Sequence, residues 1–171
     1  MLQKAELGPF AYERRMPHWL RELLERGPKI IVSNQIGSDG RLIHVKSIAN
    51  EIEGIVPVIA RLCVQDDDTE RAYICHPDVT HVVKMSKEGG FCGYRNIQMM
   101  VSYIIDTKLE GCEAFGGKKP GIFQLQDMIE QAWDMGFNER GRDETGGIRG
   151  TRKYIGTPEV VDSAADHVQN Y

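Results

Sequence analysis

"GGFCGYRNIQMM", residues 89–100, sets a cysteine behind two glycines and in front of a methionine-bearing, amphipathic run. From Cys92 onward, Ile97, Met100, Val101, Ile104 and Ile105 recur at helical spacing. The stretch therefore predicts a helix over 92–105 with those side chains turned to a core. Cys92 then falls in the first turn, where leading N–H groups lack partners and the helix carries partial positive charge that favours an anion. A thiol attacks only as its thiolate, and a free thiol, with a pKa of about 8.5, holds little of it at neutral pH. Gly89, Gly90 and Gly93 would let a substrate backbone approach the sulfur, and nearby N–H groups could donate to an oxyanion. The competing reading is a buried helix cysteine beside turn-forming glycines.

Working outward, "AYERRMPHWLRELLERG" (11–27) puts Met16, Leu20, Leu23 and Leu24 on one stripe and stops at Gly27-Pro28, which predicts an amphipathic helix. "KIIVSNQI" (29–36) and "RLIHVKSI" (41–48) flank "GSDG" and predict two strands joined by a turn. "GIVPVIARLCVQ" (54–65) predicts a buried helix, and "RAYICH" (71–76) and "THVVKM" (80–85) short extended segments. "EGCEAFGGKKPG" (110–121) reads as loop. "IFQLQDMIEQAWDMGFN" (122–138) predicts a helix with Leu125, Ile129, Ala132 and Trp133 inward. "ERGRDETGGIRGTRKYIG" (139–156) reads as an ordered irregular loop, and "TPEVVDSAADHV" (157–168) as a helix capped by Thr157 with Pro158 in its first turn. With no repeat or linker, the expectation is one α+β domain. Trp19 and Trp133 are expected in the core.

The 171 residues carry a formal charge of -4, with 41% hydrophobic and 27% charged residues, enough for one domain with a real core. Mild acidity argues against a direct nucleic-acid partner, which would need a basic face. No apolar run reaches the roughly 20 residues of a membrane span. The start "MLQKAELGPF" does not read as a secretory signal, so the expected location is the cytoplasm or nucleus. The four cysteines, Cys63, Cys75, Cys92 and Cys112, include no CxxC pair and read as free thiols. Cys75, His76 and His81 offer only three zinc ligands. The favoured reading makes Cys75 a small hydrophobe in a strand, and neither metal nor cofactor is expected.

"GGFCGYRNIQMMVSY" resembles the active-site segment of the cysteine peptidases of family C78, in which a cysteine is followed by Gly-Tyr-Arg-Asn and an apolar helix. "ELGPFAYERRMPHWL", "PGIFQLQDMIEQAWDMGFN" and "ETGGIRGTRKYIGTPEV" are similar to fungal members of the same family. The resemblance covers roughly residues 6–160 and is closer to the zinc-finger-associated, ubiquitin-directed branch. It implies a papain-like core, thiol-dependent cleavage of ubiquitin or a ubiquitin-like protein from conjugates, and Cys92 as nucleophile. It also implies a histidine and an aspartate downstream of "RGTRKYIGTPEV". The tail "VDSAADHVQNY" is unlike the family's continuation, so residues 1–171 are expected to form a single C78-like domain whose C-terminal part is missing.

Within the chain no histidine reads as the base. Asp166 and His167 are sequence neighbours that would not face each other across a site. His44 and His81 read as surface or satisfied histidines on strands. Arg140, Arg142, Arg149, Arg152 and Lys153 either grip an acidic surface or pair internally with Glu139, Asp143 and Glu144, the latter being favoured. Two other classes compete with the peptidase: a catalytically silent binding module lacking the base, and a structural domain with an inert cysteine.

Overall fold

Apolar residues at every third or fourth position build three helices whose buried stripes meet. The structure, a computed structural model, describes residues 8–156. Helix α1 (His18–Arg26) buries Leu20 and Leu24 and ends at Gly27 with φ 68°. It starts later than the sequence pattern suggests, because Pro17 occupies the position before its first turn, where a missing N–H costs least. Trp19, expected in the core, is half exposed. It directly precedes Leu20, and one residue turns the helix by about 100°, away from the Leu20–Leu24 face.

Strands β1 (Ile30–Ile36) and β2 (Leu42–Ile48) form an antiparallel hairpin in the register Ile30↔Ile48 to Ile36↔Leu42. The Gly37 N–H donates to the Arg41 carbonyl at 2.8 Å to close the turn. A second pair joins β3 (Glu51–Ile52) to β4 (His81–Val82), all that the extended segment 80–85 contributes. Residues 71–76 enter no ladder. Helix α2 (Ile55–Gln65) forms where expected but is not buried: Val56 alone is enclosed, while Val58, Ile59, Leu62 and Val64 face outward. Its apolar residues run round the whole circumference, and among the described residues nothing packs over the outer side.

Helix α3 (Cys92–Asp106) matches the predicted span. A short 3₁₀ turn, Cys112–Phe115, interrupts the expected loop before α4 (Ile122–Asp134). Gln124 accepts the Gly121 N–H at 2.8 Å, capping α4, and Leu125, Ile129, Ala132 and Trp133 are buried as the spacing predicts. Helix α5 (Glu139–Thr145) replaces the first part of the expected irregular segment 139–156. Packing decides this against propensity: Gly141 lies so close to Trp133 that an added Cβ would sit 2.9 Å from the indole. A glycine that weakens an isolated helix lets this one lie flat on the ring.

The architecture is α+β, with the core on its helical side. Leu20, Phe91, Tyr94, Ile97, Val101, Leu125, Ile129, Trp133 and Ile148 cluster there, and the β1–β2 hairpin lies outside the cluster. Among the described residues no helix is long and apolar enough to cross a membrane. The helix predicted at 157–168, with Thr157 and the Asp166-His167 pair, lies outside the described residues.

Candidate active site

Cys92 is the first residue of α3 and is exposed. At about 100° per residue it lies nearly opposite the buried stripe of Tyr94, Ile97, Gln98 and Val101, so the core stripe turns its sulfur to solvent. Two members of the predicted stripe lie off it. Met100 is 48% exposed and Ile104 half-buried, because the buried face centres on Tyr94 and Val101 and takes in the polar Arg95 and Gln98.

The glycines around the thiol serve a purpose different from the one expected of them. The ring of Tyr154 lies against both Gly8 and Gly90, where a Cβ on either glycine would collide with it. A Cβ at Gly93 would sit 2.7 Å from Ile155 Cγ1 and 3.2 Å from the Ile155 carbonyl oxygen. The approach at Gly90 and Gly93 is thus taken by the chain's own segment 154–155 rather than left to a substrate. Gly89, with φ 86° and nothing within 4 Å of an added Cβ, is the one of the three that stays open.

The stretch that leads into that segment, 148–152, is fastened from two sides. The Gln126 side chain accepts the Gly150 N–H at 2.9 Å and donates to the Thr151 carbonyl at 3.0 Å. Glu130 accepts the N–H groups of Ile148 and Arg149 at 2.7 and 3.0 Å. Glu13 accepts from the Arg152 backbone and Nε, each at 2.8 Å, and the Arg152 guanidinium stacks 3.7 Å from the centre of the Phe10 ring. The sequence signal for these anchors is a polar residue beside an apolar stripe position: Gln126 follows Leu125, and Glu130 follows Ile129.

Four of the five basic residues, Arg142, Arg149, Arg152 and Lys153, are internally engaged, though not with the acids expected, while Arg140 is exposed. Arg142 binds Asp134, Arg149 binds Asp127 at 2.7 Å and approaches Glu130 at 3.3 Å, and Arg152 binds Glu13. Lys153 is buried and donates to the Thr145 and Gly147 carbonyls at 2.5 and 2.8 Å, at the C-terminal end of α5. The expected partners Glu139, Asp143 and Glu144 share α5 with Arg142, while the acids on α4 lie across the packing interface.

The described histidines are dispersed. His18 approaches Glu22 at 3.5 Å, His44 bonds Asn34 at 2.7 Å on the exposed hairpin, and His81 sits in β4. The ring of His76 meets that of Tyr103 at a tilt of 43°, with 4.8 Å between centroids. Tyr103 is about three helical turns along α3 from Cys92. Among the described residues no histidine hydrogen-bonds Cys92, and no group of three or more His, Cys, Asp or Glu gathers as for a metal. Cys75 is exposed in an irregular segment, not a buried strand residue. All four cysteines are free, with Cys63 and Cys112 half-buried. Desolvation pushes the Cys112 thiol up from its ordinary value, and the neighbouring Glu113 pushes it further.

The family model of peptidase family C78 matches residues 68–165, more than half of the chain. Among curated proteins, zinc finger-containing ubiquitin peptidase 1 of Mus musculus is 36% identical over 74 residues, 43% of this chain. The protein of the same name from Homo sapiens is 35% identical over 77 residues, 44% of this chain. In each case the matched stretch spans 13% of the relative's length.

Proposed function

The chain belongs to peptidase family C78, and from that premise we propose that it forms a thiol-dependent peptidase domain for ubiquitin or a ubiquitin-like protein, with a papain-like fold. The observation that carries the reading is the exposed sulfur of Cys92 at the first residue of α3, held off the core by the buried stripe behind it. In the proposed reaction the Cys92 thiolate attacks the carbonyl carbon of the modifier's C-terminal glycine. A C–S bond forms and the carbonyl π electrons move to oxygen. Collapse expels the amine, which takes up a proton, and water then hydrolyses the thioester. N–H groups at the start of α3 are the donors available to the oxyanion.

A general base is the remaining requirement. Among the described residues His18, His44 and His76 have partners away from Cys92 and His81 lies in β4, which favours a second reading: a module that binds the modifier and turns it over poorly. The test uses ubiquitin bearing a C-terminal electrophile beside a fluorogenic ubiquitin conjugate. Capture of the electrophile by the wild-type chain, its loss in Cys92→Ala and weak turnover of the conjugate are expected. Undiminished capture by Cys92→Ala, or no capture by the wild type, would overturn the assignment of the nucleophile. Robust turnover abolished by His167→Ala would overturn the expectation of a missing base.

A further inference from the structure

A buried ion pair whose members flank the thiol in sequence has no role in the proposed reaction. Glu88 and Arg95 are 1% and 5% exposed. Arg95 meets the carboxylate with both arms of its fork, Nε to Oε1 at 2.9 Å and Nη2 to Oε2 at 2.7 Å. Glu88 Oε2 also accepts the Met85 N–H at 2.8 Å, closing the turn that precedes the glycines. Within that turn Lys87 holds φ 66°, a left-handed conformation unfavourable to a side chain. The third guanidinium nitrogen, Nη1, donates to Gln98 Oε1 at 2.7 Å, and Gln98 Nε2 donates to the Pro120 carbonyl at 2.7 Å. One connected network thus runs from the 85–88 turn through α3 to Pro120, two residues before α4.

We propose that Glu88 and Arg95 are positioning residues that fix the start of α3 and so set the orientation of Cys92. Arg95 stands three residues after the thiol and Glu88 four before it, so the pair spans the loop-to-helix junction like a brace. Two buried charges are a poor source of stability, since apolar residues of similar volume often serve as well. What the bidentate fork adds is geometry, because two parallel N–H···O bonds from the Nε/Nη2 edge hold the carboxylate coplanar with the guanidinium. Without it, the 85–91 turn retains the Glu88 N–H bond to the Met85 carbonyl at 3.1 Å and the exposed Lys84 Nζ bond to the Gly89 carbonyl at 3.2 Å, but it is no longer tied to α3 through Arg95. The sulfur at the first residue of α3 then no longer keeps one orientation toward the leading N–H groups of the helix.

The proposal rests on the reading of Cys92 as nucleophile, so its test separates the two. Two variants of the full chain are used: Arg95→Lys, which keeps the charge but loses the fork, and Glu88→Leu/Arg95→Met, which removes both charges. Brief alkylation with a small neutral reagent, mapped by mass spectrometry, gives the rate at Cys92 relative to the exposed Cys75. Thermal unfolding and backbone hydrogen exchange report the fold. In a folded variant the Cys92/Cys75 ratio is expected to drop about two- to five-fold, the size of a helix-end effect. Exchange should rise over 85–91 and stay unchanged over α4. A folded variant with the wild-type ratio overturns the proposal, and Arg95→Lys alone decides the matter if the double variant does not fold. Capture of electrophile-tailed ubiquitin is measured in parallel. A wild-type chain that fails to capture it counts against the peptidase reading, while the alkylation ratio still judges the brace.

Discussion

Cys92 and Cys112 sit at the starts of two helical segments, yet their surroundings oppose each other. Cys112 is half-buried beside Glu113, and desolvation with that neighbouring carboxylate keeps its thiol protonated to higher pH than usual. Cys92 stands in solvent at the start of a 15-residue helix. Only the thiolate reacts, so brief alkylation near neutral pH is expected to mark Cys92 well ahead of Cys112. Raising the pH should narrow the gap, since the Cys112 thiolate forms at higher pH than that of an ordinary thiol. Earlier labelling of Cys112 at neutral pH would contradict this. The place of Cys92 was legible because a glycine pair before an amphipathic run is a local signal. The occupant of the space at Gly90 and Gly93 was not, because Tyr154 and Ile155 reach it from far along the chain.

Helix α3 shows what periodicity reads and what it leaves open. Spacing located the element to within one residue of its observed end, but five apolar positions do not by themselves centre a buried face. Tyr94 and Val101 centre it, and the network through Arg95 and Gln98 occupies positions that a hydrophobicity pattern marks as solvent-facing. Ile97→Ala is therefore expected to cost about 2–4 kcal/mol, a buried side chain lost with partial collapse of its site. Met100→Ala should remain within about 0.5 kcal/mol. Urea unfolding midpoints at constant slope measure both, and equal losses would refute the assigned face. Helix α5 was illegible for the opposite reason: its glycine argues against a helix locally, and only the Trp133 ring beneath it tips the balance the other way.

On the scale of the molecule the elements divide unequally between a packed helical side and a thin β side. Strand-forming residues marked the hairpin and its turn in the sequence, but not its position off the core. Ile30, Val32, Ile36 and Leu42 are exposed, and β1, which carries no charged residue, pairs with β2 alone among the described residues. An unpaired edge of this kind invites pairing between chains. Val32→Lys is expected to lower concentration-dependent association in light scattering while leaving the thermal midpoint nearly unchanged. Association equal to wild type would exclude the hairpin as its source. The helical side bears on how the protein is made. Tyr154 completes the packing around the start of α3 by meeting Gly8 and Gly90 together. At about 5–20 residues per second a ribosome delivers Tyr154 about 3–12 s after Cys92. During that interval the nascent chain already carries the sulfur but has no wall beside it. The finished setting of the thiol thus waits on a residue that synthesis supplies well after the sulfur itself.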